Sequence, residues 1–233
     1  MEISNNLPKK SVLLTGILLL LILIFLITVF GGRLTSFILG ESKIEAGVMY
    51  GTRILFWSSL LFIFLFSRKI EKQDLLIWDE RKLVFWQILV SCMAIFFALI
   101  IGLGIIGVVL MKIGFVKESA KFNEILTIFR LHPFLIFFTA GTAGFVEELT
   151  FRGYLLPRMT IIFKSPLIAI LLTSVLFGLM HFGYGTVFQV VGPFFIGLIF
   201  AIYYYYFRNI KVIILCHILW DLIAIYLQLL FKK

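Results

Sequence analysis

VLLTGILLLLILIFLITVF, residues 12–30, is a continuous run without a single charged side chain. A helix rises 1.5 Å per residue, so a run of this length spans about 30 Å, the hydrocarbon thickness of a bilayer. Comparable apolar runs begin near Gly47, Leu83, Leu131, Pro166, Thr186 and Val212, which makes seven spans, or eight. The composition agrees: 62% hydrophobic residues, 14% charged residues and a mean hydropathy of +1.12 describe a chain dissolved in lipid. Backbone groups in lipid must be satisfied within the structure, and long apolar runs favour helices over the short alternating strands of a barrel. The expectation is an all-α polytopic transmembrane helix bundle. The longest polar connections, near 67–82 and 112–130, are too short to bury a core of their own. We therefore read one integrated membrane domain, with N-terminal helices and an interfacial segment over 1–130 and the chemistry-bearing helices over 131–230.

Lys9 and Lys10 precede the first run like the flank of a signal peptide. The run exceeds the usual 7–15-residue apolar core and lacks a small-residue cleavage site, so it is expected to be a retained span. Arg68, Lys69, Lys72, Arg81 and Lys82 form the densest basic loop, which the positive-inside rule places in the cytoplasm together with the N-terminus. The net charge of +9 is scattered over loops and ends with no recognition motif. Anionic lipid headgroups rather than nucleic acid are its expected counter-charge. Within 112–130, Phe115, Phe122, Leu126 and Phe129 fall near one helical face and Lys117, Lys121 and Glu124 near the other, the pattern of an interfacial helix.

Three features read as structural. Cys92 and Cys216 lie inside spans without metal or redox spacing, and are expected to be buried free thiols. Gly102, Gly104 and Gly107 spell GxGxxG, but mid-span and with no preceding strand, so they read as packing glycines. Tyr203 to Tyr206 end a span, where phenols anchor at the interface.

The chemistry is sought among intramembrane ionisable residues, each costing about 2.5–3.5 kcal/mol at a helix centre. Glu148 and Arg152 are four apart and should pair. Glu147 is turned about 100° away, by the 3.6-residue repeat, and is left as the candidate base. Pro157, Arg158 and Lys164 suggest that the helix surfaces there. If the chain reverses near Lys164, Glu147 and His181 are each 17 residues from the turn and reach similar depth. His217 and Asp221, again four apart, share a face of the last span. Ala140, Gly141, Ala143 and Gly144 would leave room beside Glu147.

Three motifs then stand in order: Glu147-Glu148-Leu149-Thr150-Phe151-Arg152, Phe177-Gly178-Leu179-Met180-His181 and His217-Ile218-Leu219-Trp220-Asp221. This arrangement resembles the EExxxR, FxxxH and HxxxN or HxxxD signature of the CPBP membrane peptidases, which include type II CAAX prenyl endopeptidases and the bacterial Abi or bacteriocin-immunity peptidases. The resemblance covers roughly 131–230. It implies an intramembrane endopeptidase in which Glu147 and His181 deprotonate a water and His217 stabilises the oxyanion, with Glu148 and Arg152 in support. It implies as partner a hydrophobic or membrane-associated peptide, such as a bacteriocin or its leader, cut at a site reached from the cytoplasm of a bacterial plasma membrane.

Asp221 fits that signature least easily, since an ionised carboxylate cannot donate to an oxyanion. Either burial keeps it protonated, or it accepts from His217 and fixes that ring's tautomer. Two histidines and a carboxylate could also hold zinc, with Glu147, His181 and His217 as the candidate ligands, although HExxH is missing. Two rivals remain at this level: an immunity protein acting by binding alone, and an ion-coupled transporter whose relay groups these would be, for which no internal repeat is visible.

Overall fold

The computed structural model describes residues 8–41, 44–115 and 117–231. Among these, seven helices are long and apolar enough to cross a membrane, starting within two residues of the apolar runs read above. Chain order gives α1 (Lys10–Leu39), α2 (Ala46–Phe66), α3 (Phe85–Lys112), α4 (Ala120–Leu131), α5 (Pro133–Thr142), α6 (Leu156–Phe163), α7 (Pro166–Met180), α8 (Phe188–Phe207) and α9 (Ile210–Phe231). No strand occurs among the described residues. The bundle is all-α, as the absence of alternating apolar patterns requires.

Local chemistry sets the boundaries. Pro133 and Pro166 open α5 and α7 at the first turn, where a missing N–H costs nothing. The Ser165 hydroxyl accepts from Ile168 N–H at 3.3 Å, and Ser119 caps α4 by accepting from Phe122 N–H at 3.0 Å. Gly40, Lys164 and Arg208 end their helices in the left-handed conformation. α2 runs on through a π turn, Ser67–Glu71.

Close approach positions the rest. A Cβ on Gly178 would come within 2.8 Å of Val190 O, so its absence lets α7 and α8 pack backbone to backbone. Gly102 receives the Phe195 ring, where a Cβ would sit at 2.2 Å. Gly104 and Gly107 make no such approach, so the packing role read for the GxGxxG glycines belongs to Gly102. Cys92 and Cys216 are free thiols, Cys216 buried and Cys92 half-buried.

Two expectations for the polar margins change. Tyr203 and Tyr204 are buried, and Tyr204 donates to Glu80 Oε1 at 2.6 Å. Glu80 Oε2 also accepts from Ile210 N–H at 2.6 Å, so the loop after α2 is tied to the α8–α9 turn. Burial pushes the Glu80 carboxyl above its usual range despite these donors. Of the four tyrosines Tyr206 is the exposed one, suited to an interface. Arg158 does not surface either. It is fully buried, packs 3.8 Å from the Tyr154 ring centroid, and donates to Glu71 Oε2 at 2.6 Å, with further bonds to Ser67 Oγ and the carbonyls of Asp74 and Leu75. Glu71 is the acid hidden within the basic loop: Tyr154 Oη donates to its other oxygen at 2.6 Å. Satisfying every donor is what makes a buried pair tolerable.

α4 exists inside the segment expected to be interfacial, but it packs on protein. Ile125, Leu126, Ile128 and Phe129 are buried in a second core with Met49, Leu135, Ile136 and Ile225, while Phe115 lies outside it. Ser119 Oγ donates to Tyr184 O at 2.6 Å, which fixes α4 at the end of the bundle where α7 finishes. Five crossings separate Lys10 from that end: α1, α2, α3, the α5–α6 span and α7. An odd number puts them on opposite faces. The N-terminus and the end of α7 therefore cannot both be cytoplasmic.

Candidate active site

The fourth span, Pro133–Phe163, is not a uniform α-helix. Two π stretches, Ala143–Glu147 and Leu149–Leu155, widen it around the acidic pair. Such widened turns often mark functional positions, because they re-aim side chains that regular winding would bury. Gly144 permits this: a Cβ there would meet Ile218 Cγ1 at 2.4 Å and Ile214 O at 3.0 Å, so α9 lies directly on the π stretch. Gly144 thus provides contact rather than room, while Gly141 faces open space.

That contact brings the last span's histidine to both glutamates. Glu148 is fully buried, and its Oε1 accepts from Arg152 Nη1 at 2.8 Å and from His217 Nδ1 at 2.7 Å. Arg152 also donates through Nη2 to Gly197 O at 3.0 Å, with its guanidinium 4.5 Å from the Phe177 ring centroid. The expected Glu148–Arg152 pair is present, and it carries the second task of orienting an imidazole. A carboxylate only accepts, so His217 carries a proton on Nδ1.

His217 Nε2 turns to the two remaining acids. Glu147 Oε2 lies 4.0 Å away and Asp221 Oδ2 3.7 Å away, contacts too long for hydrogen bonds. Glu147 Oε2 has no hydrogen-bond partner among the described residues. The Glu147 and Asp221 side chains keep 17% and 27% of their surface accessible, whereas Glu148 keeps none. The tautomer of His217 is thus set by Glu148 and not, as one sequence reading had it, by Asp221.

His181 ends α7, and its Nδ1 lies 2.9 Å from Phe177 O, so Nδ1–H donates and Nε2 keeps its lone pair. Its ring lies 5.3 Å from the Phe177 ring, which also borders His217 at 6.0 Å. Tyr184 stacks on the outer side of His181 at 6.1 Å. The two histidines share one cluster, but no described contact joins His181 directly to Glu147. The nearest imidazole to that carboxylate comes from the last span.

The chemistry open to this arrangement is proton transfer by a partly buried carboxylate free of a hydrogen-bond partner on Oε2, beside a locked imidazole. No three His, Cys, Asp or Glu side chains among the described residues are disposed to hold a metal ion.

Residues 129–223 match the family model for type II CAAX prenyl endopeptidase Rce1-like proteins. This segment is similar to the type II CAAX prenyl endopeptidase group of the CPBP peptidases. All three CPBP motifs of this chain fall within the match. The likeness to membrane proteases therefore lies in the C-terminal part, where the polar cluster is built. No curated protein and no solved structure matches the chain.

Sequence reasoning passed over Glu71 and Arg53 and took Arg158 as a mark of the helix surfacing. Nothing local distinguishes Glu71 from a loop acid left in solvent. Arg53 is a lone charge inside the second apolar run, which was signal enough.

Proposed function

We propose that this protein is a CPBP-type endopeptidase that hydrolyses a hydrophobic or membrane-associated peptide with water activated by Glu147. The observation that carries the reading is the division between adjacent carboxylates: Glu148 is locked between Arg152 and His217, while Glu147 Oε2 has no hydrogen-bond partner beside His217 Nε2 and its side chain is only partly buried. Glu147 removes a proton from water, and the resulting hydroxide attacks the peptide carbonyl carbon. The lone pair on His181 Nε2 helps align that water. In its doubly protonated form, with Nδ1–H held by Glu148, His217 donates from Nε2 to the oxyanion, and Glu147 passes its proton to the departing amine. Asp221 acts on His217 through charge.

A bacteriocin or its leader, in a bacterial plasma membrane, is the substrate and setting we propose, because a site inside lipid suits a peptide that partitions there. The test is cleavage of a pool of hydrophobic peptides by the purified protein beside Glu147→Ala. Products formed by the wild type alone support hydrolysis. Immunity that survives Glu147→Ala in a folded protein would replace it with action by binding.

A further inference from the structure

Arg53 is an intramembrane cation that the chemistry above leaves unused. It lies in α2, and no carboxylate among the described residues pairs with it; its side-chain hydrogen bond is a long one, 3.4 Å, to neighbouring Thr52 Oγ1. An arginine in a span without an ion partner is costly, so it calls for a ligand.

Its direction follows from its helical neighbours. Tyr50 and Trp57, three residues before and four after, share its face of α2. Tyr50 packs on Phe138 at 5.4 Å, while Trp57 donates from Nε1 to Thr142 Oγ1 at 3.0 Å and lies 6.4 Å from the Phe145 ring. Arg53 is therefore directed at the fourth span between Phe138 and Thr142, one to two turns before Glu147. Gly141, in that interval, would present an added Cβ to open space. The Arg53 charge reaches Glu147, His181, Tyr184 and Asp221, four groups from three other segments.

We infer that Arg53 is a specificity-determining residue of the site, binding a carboxylate of the peptide on the α4 side of Glu147. This deepens the peptidase reading and rests on it. Guanidinium suits a carboxylate because its planar fork can make two parallel hydrogen bonds. The carboxylate is either the peptide's C-terminus or an Asp or Glu side chain close to the cleaved bond. A lipid phosphate is disfavoured because Arg53 faces span four rather than the bilayer.

The experiment measures binding to the full-length Glu147→Gln protein in nanodiscs of zwitterionic lipid. The probes are hydrophobic peptides made as free acids, as C-terminal amides, and as amides with an internal Glu or Gln. Free acid binding roughly 10–100-fold tighter than amide, the range of a charge-assisted bond, with the gap lost in Arg53→Gln and partly kept in Arg53→Lys, assigns the C-terminus. The same behaviour between Glu and Gln amides assigns a side chain. A gap that persists in Arg53→Gln, equal binding of all probes, no binding at all, or an Arg53-dependent affinity for anionic lipid alone overturns the inference. Wild type that discriminates in binding yet cleaves nothing overturns the hydrolase reading and leaves this one standing.

Discussion

His217 donates from Nδ1 to Glu148 Oε1 at 2.7 Å, across 69 residues of sequence and between two spans. This bond decides which glutamate does what. It makes Glu148 the common acceptor for Arg152 and His217, and it turns His217 Nε2 toward Glu147. Neutralising Glu148 should therefore be a folding lesion: Glu148→Gln strands the buried Arg152 charge and should cost about 3–5 kcal/mol. Glu147→Gln should leave the thermal midpoint close to wild type while lowering kcat about 10²–10⁴-fold. Thermal unfolding in detergent beside a cleavage assay separates the two, and equal destabilisation by both variants would contradict the division.

Asp221 lies 3.7 Å from Nε2 of a ring already oriented from its other side. Asp221→Asn keeps the shape and supplies an amide donor, so kcat should stay within about tenfold of wild type, a barrier change of roughly 1.4 kcal/mol. A folded Asp221→Asn protein as inactive as Glu147→Ala would show that the charge is required.

At the far margin of the bundle, Glu71 and Arg158 are both fully buried at a 2.6 Å ion pair. Arg158→Met alone leaves an uncompensated buried carboxylate and should destabilise by about 3–5 kcal/mol. Adding Glu71→Gln should restore part of that loss. A double-mutant cycle in thermal unfolding checks it, and simple additivity of the two changes would show that the pair is not coupled.

Topology gives a prediction independent of chemistry. In a background lacking Cys92 and Cys216, Lys9→Cys and Lys121→Cys should react with an impermeant thiol reagent from opposite sides of sealed vesicles, because α4 is fixed at the end of α7. Labelling of both from one side would refute the odd count of crossings.

How much of this was legible in the chain depends on the range of the interactions. Span positions and helical class follow from hydropathy summed over about twenty residues, so 12–30 and its counterparts were readable directly. The Glu148–Arg152 pair was readable because i and i+4 meet on any helix. The partner of Glu147 was not. Counting residues from Lys164 pointed to His181, whereas the π winding around Gly144 and the direct packing of α9 deliver His217 instead. Arg158 and Tyr204 looked like surfacing or interfacial residues for a related reason: burial of a polar group is set by partners, here Glu71 and Glu80, which lie 87 and 124 positions away.

Hydropathy and local spacing, then, determined by themselves that this chain is a helical membrane protein of seven or eight spans with a motif-bearing C-terminal part. Those properties depend on solvent and on near neighbours, and both are written into the linear order. Tertiary packing decided which nitrogen of His217 is bound, which carboxylate stays open, which face holds the site and which arginine looks into it. Each of those follows from groups on different spans meeting in three dimensions, where the absence of a Cβ at one glycine moves a whole helix into contact.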